Sequence, residues 1–463
     1  MFALPVYATS AQSTASSVVT IQKGDKIQLG WAGDLSLQLI KPSKGVQYGA
    51  QIAVNRTNAA GGISGFQISL EAQDDQCKGD AATTVAQKFA SEPGLLAVVG
   101  HVCSGATIPA SDVYQKARIA IVSASATAVK LTNRGYDTVN RVAFSDYYQA
   151  LGDASYLYNV LKAKNIVVLD DNQTYGQGLA KALAADFTAL GGKVVDAESI
   201  DATAKDYTAV LTKFVSSPPD VLFFGGYYGP GALLTQQMHQ LGMTNTAFFS
   251  DDGVQTSDYI KLGGKDAEGQ YASSTGSATL SATAQTALDA FKTEFASTFS
   301  VTYGDYDPYQ PGGYDSAMLI INALKSVAKT DASGNLTVDR EALIKAVRGT
   351  TNYVGLTGTL TCNSVGECGT GTVIVYQVKA GAWVPVKTYT SDDLKALAPQ
   401  TASATMAATM SGTMMAGTMA PTMMGTMSGT MAPTMMGTMA ATMSGTMAPT
   451  MMGTMSPTMA ATK

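Results

Sequence analysis

The chain has 463 residues, of which 14% are charged, and its formal net charge is −5. This sparse, slightly acidic charge leaves no basic face for nucleic acid, and no apolar run reaches the roughly 18 residues that a membrane-spanning helix needs. The length exceeds what one hydrophobic core usually holds, so we expect two folded domains with additional segments.

Residues 1–23 are predicted to be the remnant of a signal peptide followed by a flexible N-terminus. Phe2 to Ala8 is a short apolar stretch, and small residues follow it at 8–11, as they do at a cleavage site. This start indicates a secreted protein, located in the periplasm or at the cell surface.

Between about residues 26 and 388, short β-branched runs alternate with longer amphipathic runs. The strands are predicted near 27–33, 67–73, 95–100, 118–124, 165–171, 193–199, 220–226 and 372–378. The helices are predicted near 45–60, 80–91, 106–116, 147–163, 176–190, 205–214, 230–241, 284–298, 312–328 and 340–347. Such alternation indicates parallel, doubly wound sheets. Because the series is interrupted near Asp146, we predict an α/β fold with two such lobes.

Two neighbouring strands of the first series each end in a turn rich in serine. Ser104 follows the strand at 95–100, and residues 123–127 (SASAT) follow the next strand. Because parallel strands end at one edge of a sheet, these hydroxyls and free N–H groups should converge, which favours binding of a carboxylate or phosphate. Simple capping of the following helices is the alternative.

The four cysteines are predicted to form two disulfides. Cys77 and Cys103 each lie just beyond a strand, and Cys362 and Cys368 flank a short hairpin-like turn. An even number of cysteines after a secretion-like start favours an oxidising compartment. Metal binding is the alternative, but the chain has only two histidines and no C-x-x-C motif. No metal or cofactor is predicted.

The C-terminal part has a different composition. Residues 401–463 contain 18 of the 22 methionines and a single charge, in a T-M-x-x pattern with a period of four. Such a composition cannot bury enough surface to fold, so we predict a disordered tail over 391–463. Capture of Cu(I) by thioethers and O-glycosylation are alternative roles.

Seven motifs, taken together and in order, resemble the periplasmic leucine/isoleucine/valine-binding proteins, the solute receptors of branched-chain amino-acid ABC importers. They are NAAGGISG (58–65), DDQC (74–77), GHVCSGATIPASDVY (100–114), SASAT (123–127), TNRGY (132–136), TYGQGLA (174–180) and FFGGYYGPG (223–231). The resemblance implies a type I periplasmic binding fold. Lobe 1 would comprise 24–146 with 275–354, and lobe 2 would comprise 147–274 with 355–390. A three-strand hinge would join them, with crossings near 144–147, 272–276 and 352–357.

The resemblance also implies roles for residues of lobe 1. Ser104 and Thr127 would hold the α-carboxylate of an amino acid. Ser125 stands where the family uses main-chain groups, with a carbonyl for the ammonium and an N–H for the carboxylate. Trp31, at the end of the first strand, is predicted to line the side-chain pocket.

From lobe 2, Tyr175 and Tyr227 would close over the ligand. Asp252 aligns with the family's acidic residue for the ammonium group, which is glutamate there, and neighbouring Asp251 could substitute for it. From the residues alone, core packing of the tyrosines and a simple acidic turn are the alternatives.

The implied function is capture of an amino acid, with a branched side chain as the first expectation, by a monomer that closes and is offered to a membrane permease. No nucleic-acid partner and no enzyme activity are predicted, because no base stands beside a nucleophile. The alternatives are a ligand-sensing module, a binder of another amide, carboxylate or peptide, a hydrolase, and a scaffold for the methionine-rich stalk.

Overall fold

The computed structural model describes residues 17–276, 280–306, 308–369 and 371–398. The predicted cleavage region and the repeats from residue 401 lie outside the described residues. Among the helices that are described, none is both long and apolar enough to cross a bilayer.

The secondary structure follows the predicted alternation. The strands are β1 (Val18–Ile21), β2 (Ile27–Gly33), β3 (Ile68–Asp74), β4 (Leu95–Gly100), β5 (Ala120–Ser123), β6 (Val139–Arg141), β7 (Asn165–Asp170), β8 (Lys193–Ser199), β9 (Val221–Gly225), β10 (Ala247–Ser250), β11 (Tyr271–Gly276), β12 (Lys329–Thr330), β13 (Leu336–Asp339), β14 (Tyr353–Gly355), β15 (Gly358–Leu360), β16 (Thr372–Lys379) and β17 (Ala382–Tyr389). The helices are α1 (Ile40–Ala59), α2 (Gly79–Ser91), α3 (Ser104–Ala117), α4 (Asp146–Ser155), α5 (Thr174–Ala189), α6 (Thr208–Val215), α7 (Tyr228–Gln240), α8 (Ser257–Gly263), α9 (Ala282–Phe299), α10 (Gln310–Val327), α11 (Arg340–Arg348) and α12 (Ser391–Leu397).

Lobe 1 is built on a five-stranded sheet with the order β3-β2-β4-β5-β6, in which every pairing is parallel. All six residues of β4 are buried, as expected for a parallel strand with helices on both faces of its sheet. The helices pack in pairs, α1 with α10 and α2 with α3. This lobe confirms the predicted doubly wound parallel sheet.

Lobe 2 contains a seven-stranded sheet with the order β17-β16-β11-β10-β9-β7-β8. Its strands β7 to β11 pair in parallel, but β16 and β17 are antiparallel. The antiparallel edge arises because β16 and β17 form a hairpin with the two-residue loop Ala380–Gly381, in which both residues have positive φ, as a tight hairpin turn requires.

The chain passes from lobe 1 to lobe 2 between β6 and α4, returns between β11 and α9, and passes again after Cys368. The third passage differs from the predicted 352–357. Residues 356–368 pack on lobe 1, because Asp315 of α10 accepts hydrogen bonds from the N–H groups of Leu356 and Thr357, and Cys368 lies in the core of that lobe. The chain therefore enters lobe 2 for the second time only shortly before β16.

Both ends of the described chain are more ordered than predicted. Within the predicted flexible N-terminus, β1 pairs antiparallel with β13, and Val19 and Ile21 are buried. Within the predicted tail, α12 is a helix with a capping box between Thr390 and Asp393. Leu394 of α12 is fully buried in the core of lobe 2, so the folded part extends at least to this residue.

Candidate functional site

The site lies between the two lobes, where strands of both sheets end. A small cavity there is lined from lobe 1 by Ser104, Ser125 and Tyr309, and from lobe 2 by Tyr175, Tyr227 and Asp252. The further lining residues are Leu39, Pro42, Val102, Cys103, Gly253, Thr256 and Pro308. Five of the seven predicted ligand-binding residues are thus brought together around one cavity.

The lobe 1 wall consists of the two predicted serine-rich turns, which hydrogen bonds connect to each other. Ser104 is the first residue of α3, and its Oγ accepts a hydrogen bond of 3.2 Å from the N–H of Ala128. The Ser125 Oγ donates to the carbonyl of Val102 at 2.8 Å. This places the N-terminus of α3, with its partial positive charge, at the cavity.

The Cys77–Cys103 disulfide is formed, as predicted, and attaches the first of these turns to the segment after β3. Sequence reasoning missed the buried histidine beside it. The His101 Nδ1 lies 2.5 Å from a carboxylate oxygen of Asp75, and its Nε2 lies 2.9 Å from the Tyr114 hydroxyl. These buried hydrogen bonds between Asp75, His101 and Tyr114 fix the position of the residues that immediately precede Ser104.

The lobe 2 wall presents one carboxylate, Asp252, directly after β10. The Tyr175 hydroxyl donates to its Oδ1 at 2.7 Å, and the Tyr309 hydroxyl donates to its Oδ2 at 2.5 Å. Burial raises the pKa of Asp252, and these two hydroxyl groups offset part of the rise. A cationic group brought into the cavity would compensate this buried carboxylate.

Of the other two residues predicted from lobe 2, Tyr227 lines the cavity and Asp251 does not. The Tyr227 ring is half-buried and lies against the Tyr175 ring, with 5.5 Å between the ring centroids. Asp251, the suggested substitute for Asp252, is fully buried and accepts a 2.9 Å hydrogen bond from the Gly226 N–H. It is not among the residues that line the cavity.

Trp31 does not line the cavity, so that prediction is wrong. Its side chain is fully buried in the core of lobe 1, and a Cβ placed on Gly33 would lie 2.8 Å from its ring. β2 is an inner strand, paired by β3 and β4, and the Trp31 side chain belongs to the hydrophobic core of this lobe. Leu39 and Pro42 line the cavity instead.

Thr127 and Asp146 lie beside the site and are both buried. The Thr127 hydroxyl lowers the pKa of the Asp146 carboxyl, but burial and the negative charge of Asp252 outweigh it and raise that pKa to about 7. Asp146 was noticed in the sequence only as the point where the strand–helix series is interrupted. Because an aspartate in the first turn of a helix is common, the sequence gives no sign that Asp146 lies near Asp252.

Arg141, at the end of β6, fixes the turn that contains Ser125 and Thr127. Its guanidinium donates to the carbonyls of Ala126 and Ala128 at 3.1 and 2.9 Å, and it forms an ion pair with Glu367. Glu367 lies within the loop closed by the second predicted disulfide, Cys362–Cys368, which is also formed. The small disulfide loop thereby supports one wall of the site.

Comparison with known proteins is consistent with this geometry. Residues 26–382 match the sequence profile of the periplasmic binding protein family. An amino acid binding protein of Pseudomonas aeruginosa is 41% identical over 224 residues, which cover 48% of this chain and 60% of that protein. The Leu/Ile/Val-binding protein homolog 3 of Brucella melitensis is 30% identical over 72% of this chain and 88% of that protein.

Solved structures have the same fold. A leucine-binding protein of Thermotoga maritima superposes with a TM-score of 0.70 at 24% identity, over 79% of this chain and 99% of that chain. The branched-chain amino acid transporter substrate-binding protein of Streptococcus pneumoniae, solved with isoleucine, has a TM-score of 0.67 at 26% identity, over 78% of this chain and 100% of that chain. On the match over residues 26–382, this chain belongs to the periplasmic binding protein family.

Proposed function

We propose that this protein is the solute-binding component of an ABC importer and that it captures an amino acid, of the branched-chain class, between its two lobes. The observation that carries the proposal is the opposite chemistry of the two walls. Lobe 1 presents hydroxyl groups and a helix N-terminus, whereas lobe 2 presents the buried Asp252 carboxylate. A zwitterion has the complementary charges at its two ends.

In the proposed complex, Ser104 and Thr127 hold the α-carboxylate and Asp252 holds the α-ammonium. Ser125 contributes main-chain groups, since its hydroxyl is engaged by Val102. Tyr175 and Tyr227 close over the ligand. Relatives at 30% identity or above with names such as Leu/Ile/Val-binding protein support this class of ligand.

The side-chain pocket supports an aliphatic ligand. Leu39, Pro42, Val102 and Pro308 give the cavity an apolar lining, to which the rings of Tyr175, Tyr227 and Tyr309 are added. No cation lines the cavity among the described residues, so an acidic ligand side chain would have no partner there. A branched aliphatic side chain buries apolar surface in this space without leaving a polar group unsatisfied.

Ligand uptake requires the lobes to separate. The cavity has a volume of about 40 Å³, which is room for a few water molecules. Contacts across the cleft hold it closed, including an ion pair of 2.7 Å between Lys41 and Asp258 and one of 2.9 Å between Lys261 and Asp305. The ligand therefore binds an open form and stabilises a closed one, which the permease recognises.

The proposal is tested by a thermal-shift screen of the full chain against the twenty amino acids and small carboxylates. A ligand at 100 times its dissociation constant adds about 2.7 kcal/mol to the free energy of unfolding, which shifts the midpoint visibly. We expect a rise with leucine, isoleucine or valine. A rise with carboxylates alone would contradict the zwitterion site.

A further inference from the structure

A short chain of hydrogen bonds connects Asp153, near the end of α4, to β11 and back to the same helix. The Asp153 Oδ2 accepts a 2.9 Å hydrogen bond from the Ser273 hydroxyl. The Ser273 Oγ in turn accepts a 2.9 Å hydrogen bond from the Nε2 of Gln149. All three side chains are fully buried. Water therefore does not reach the polar atoms of this chain.

Two oxygen atoms of these side chains lack a donor. Neither the Asp153 Oδ1 nor the Gln149 Oε1 has a hydrogen-bond partner among the described residues. The two residues are four positions apart in α4, so their side chains are neighbours on one face of the helix. Buried acceptors are normally supplied with donors. One hydrogen atom between these two oxygens would satisfy both.

A count of the hydrogens shows where that atom must come from. Ser273 has one hydroxyl hydrogen, which it donates to Asp153, and Gln149 has hydrogens only on its amide nitrogen. Exchanging the amide oxygen and nitrogen of Gln149 does not help, because Gln149 and Asp153 would then both need the single Ser273 hydrogen. The missing hydrogen must therefore be carried by the Asp153 carboxyl itself.

The charges around Asp153 favour a proton on it. Burial raises the pKa of its carboxyl well above the ordinary aspartate value, and the Ser273 hydroxyl offsets only part of this rise. The negative charges of Asp252 and Asp146 raise the pKa further. In the described part of the chain, no cation counteracts them at this carboxyl.

The other elements that pack against α4 do not bring a compensating charge. Burial raises the pKa of Tyr389, on β17, so that phenol is neutral at pH 8. The charge of Asp186, on α5, acts on Tyr147. The charge of Lys395, on α12, acts on Tyr148. Both of these tyrosines lie in the first turn of α4, away from its buried end.

Gln149 connects this chain to the ligand site. Burial raises the pKa of Asp252, and the Gln149 amide lowers it, as the hydroxyls of Tyr309 and Tyr175 do. An ionised Asp153 would repel the charge of Asp252, since the two groups interact. A neutral Asp153 leaves Asp252 to carry the negative charge, an arrangement in which two nearby carboxyls are held in different states.

We propose that Asp153 is a neutral carboxylic acid that donates its hydrogen to Gln149 and thereby positions the Gln149 amide beside Asp252. This inference rests on the proposed function, in which Asp252 is the contact for the ligand ammonium. Asp153 does not touch the ligand and is a positioning residue. With its oxygen held by Asp153 and one N–H held by Ser273, the Gln149 amide has its second N–H left for Asp252.

The test compares Asp153→Asn with Asp153→Ala in the full chain. An asparagine amide can donate to Gln149 and accept from Ser273, so it replaces a neutral acid but not a carboxylate. Leucine affinity is measured by calorimetry at pH 8, and circular dichroism verifies folding. The infrared spectrum of Asp153→Asn is subtracted from that of the wild type at the same pH, because only a protonated carboxyl has the carbonyl stretch of an acid.

We expect Asp153→Asn to bind leucine within about twofold of the wild type, whereas Asp153→Ala should lose about fivefold, the equivalent of one neutral hydrogen bond. The difference spectrum should contain the acid carbonyl band, and the band should shift in D₂O. Asp315→Asn is the matched control, because Asp315 is also fully buried but accepts from the N–H groups of Leu356 and Thr357. It should lower the thermal midpoint, and Asp153→Asn should not.

Absence of the acid carbonyl band would overturn the inference while leaving the proposed function intact, as would an equal loss of leucine affinity in folded Asp153→Asn and Asp153→Ala. Failure of the wild type to bind any amino acid would instead remove the proposed function, and this inference with it. If Asp153→Ala does not fold, Ser273→Ala takes its place, because it removes the hydroxyl that holds Asp153. Wild-type leucine affinity in folded Ser273→Ala would contradict the positioning role.

Discussion

The Tyr309 hydroxyl donates a 2.5 Å hydrogen bond to Asp252 across the cleft, from lobe 1 to lobe 2. Tyr175 binds the other oxygen of the same carboxylate from within lobe 2. The proposed ammonium-binding carboxylate is therefore held by one hydroxyl from each lobe. Of these two hydrogen bonds to Asp252, the one from Tyr309 spans the cleft, so the environment of Asp252 depends on whether the lobes are closed.

Tyr309→Phe should shift the ligand-free protein toward the open form. A hydrogen bond to a charged group contributes about 1.5–3 kcal/mol, and this one exists only when the lobes are closed. Small-angle X-ray scattering of the full chain measures the change as a larger radius of gyration. Tyr175→Phe is the matched control, because it removes a bond within one lobe and should leave the radius unchanged. Equal radii for the two variants would show that the Tyr309 bond does not favour closure.

Asp146→Asn should stabilise the ligand-free protein at neutral pH. The pKa of the Asp146 carboxyl is raised in the folded state to about 7, so protonation favours folding. That stabilisation is complete below the ordinary aspartate pKa and is lost as the pH rises through about 7. One pKa unit corresponds to about 1.4 kcal/mol, so the three-unit rise implies at most about 4 kcal/mol.

The measurement is the thermal midpoint of both proteins between pH 4 and pH 8. The midpoint of Asp146→Asn should exceed that of the wild type at pH 8, and the difference should shrink toward pH 4, where the wild-type carboxyl is already neutral. Other carboxyls with raised pKa values, such as Asp171 and Asp315, are common to both proteins and cancel in the comparison. A difference that does not vary with pH would refute a raised pKa at Asp146.

Trp31 should matter for stability and not for ligand choice. It is fully buried, and truncation of a buried aromatic residue to alanine costs about 3–5 kcal/mol. Trp31→Ala should therefore lower the midpoint of chemical denaturation strongly, whereas Trp31→Phe should fold and keep the wild-type order of amino-acid affinities. Leu39→Ala, in the cavity wall, should alter that order. A changed order of amino-acid affinities in Trp31→Phe would show that Trp31 does contribute to the ligand pocket.

Glu367→Gln should weaken both the fold and the ligand site. Its partner Arg141 is fully buried, and removal of one member of a buried ion pair costs about 3–5 kcal/mol. Because Arg141 also holds the carbonyls of Ala126 and Ala128, the turn that contains Ser125 should become more mobile. Hydrogen exchange measures this directly: residues 124–128 should lose protection. Lys88→Gln, at an exposed ion pair, is the control and should have little effect.

Much of the fold was predictable from hydrophobic pattern, because the strands of both sheets are short apolar runs between amphipathic helices. The two serine-rich turns with Ser104 and Ser125 were predicted from the ends of neighbouring strands, whereas the roles of Tyr175, Tyr227 and Asp252 were implied by the resemblance to a family. The resemblance to a family also predicted that the residues of the two lobes face each other across one ligand site. No local sequence pattern indicates this.

The rest of the site depends on tertiary structure. Tyr309 precedes α10, and 57 residues separate it from Asp252, so nothing local connects them. Asp146 resembles an ordinary acidic residue at a helix N-terminus. Trp31 was misplaced because the position of a residue at a strand end does not indicate whether its side chain faces the cleft or the covering helices. The hairpin of β16 and β17 likewise depends on the tight turn at Ala380–Gly381. Composition alone does not distinguish such a turn from an ordinary loop.

The central claim, that a zwitterionic amino acid lies between Ser104 and Asp252, is tested most directly by calorimetric titration of the full chain with leucine. The account predicts saturable binding of one leucine per chain. It also predicts a loss of about tenfold or more in affinity for both Ser104→Ala and Asp252→Asn, from opposite sides of the cleft. Binding that both folded variants retain at wild-type affinity would contradict it.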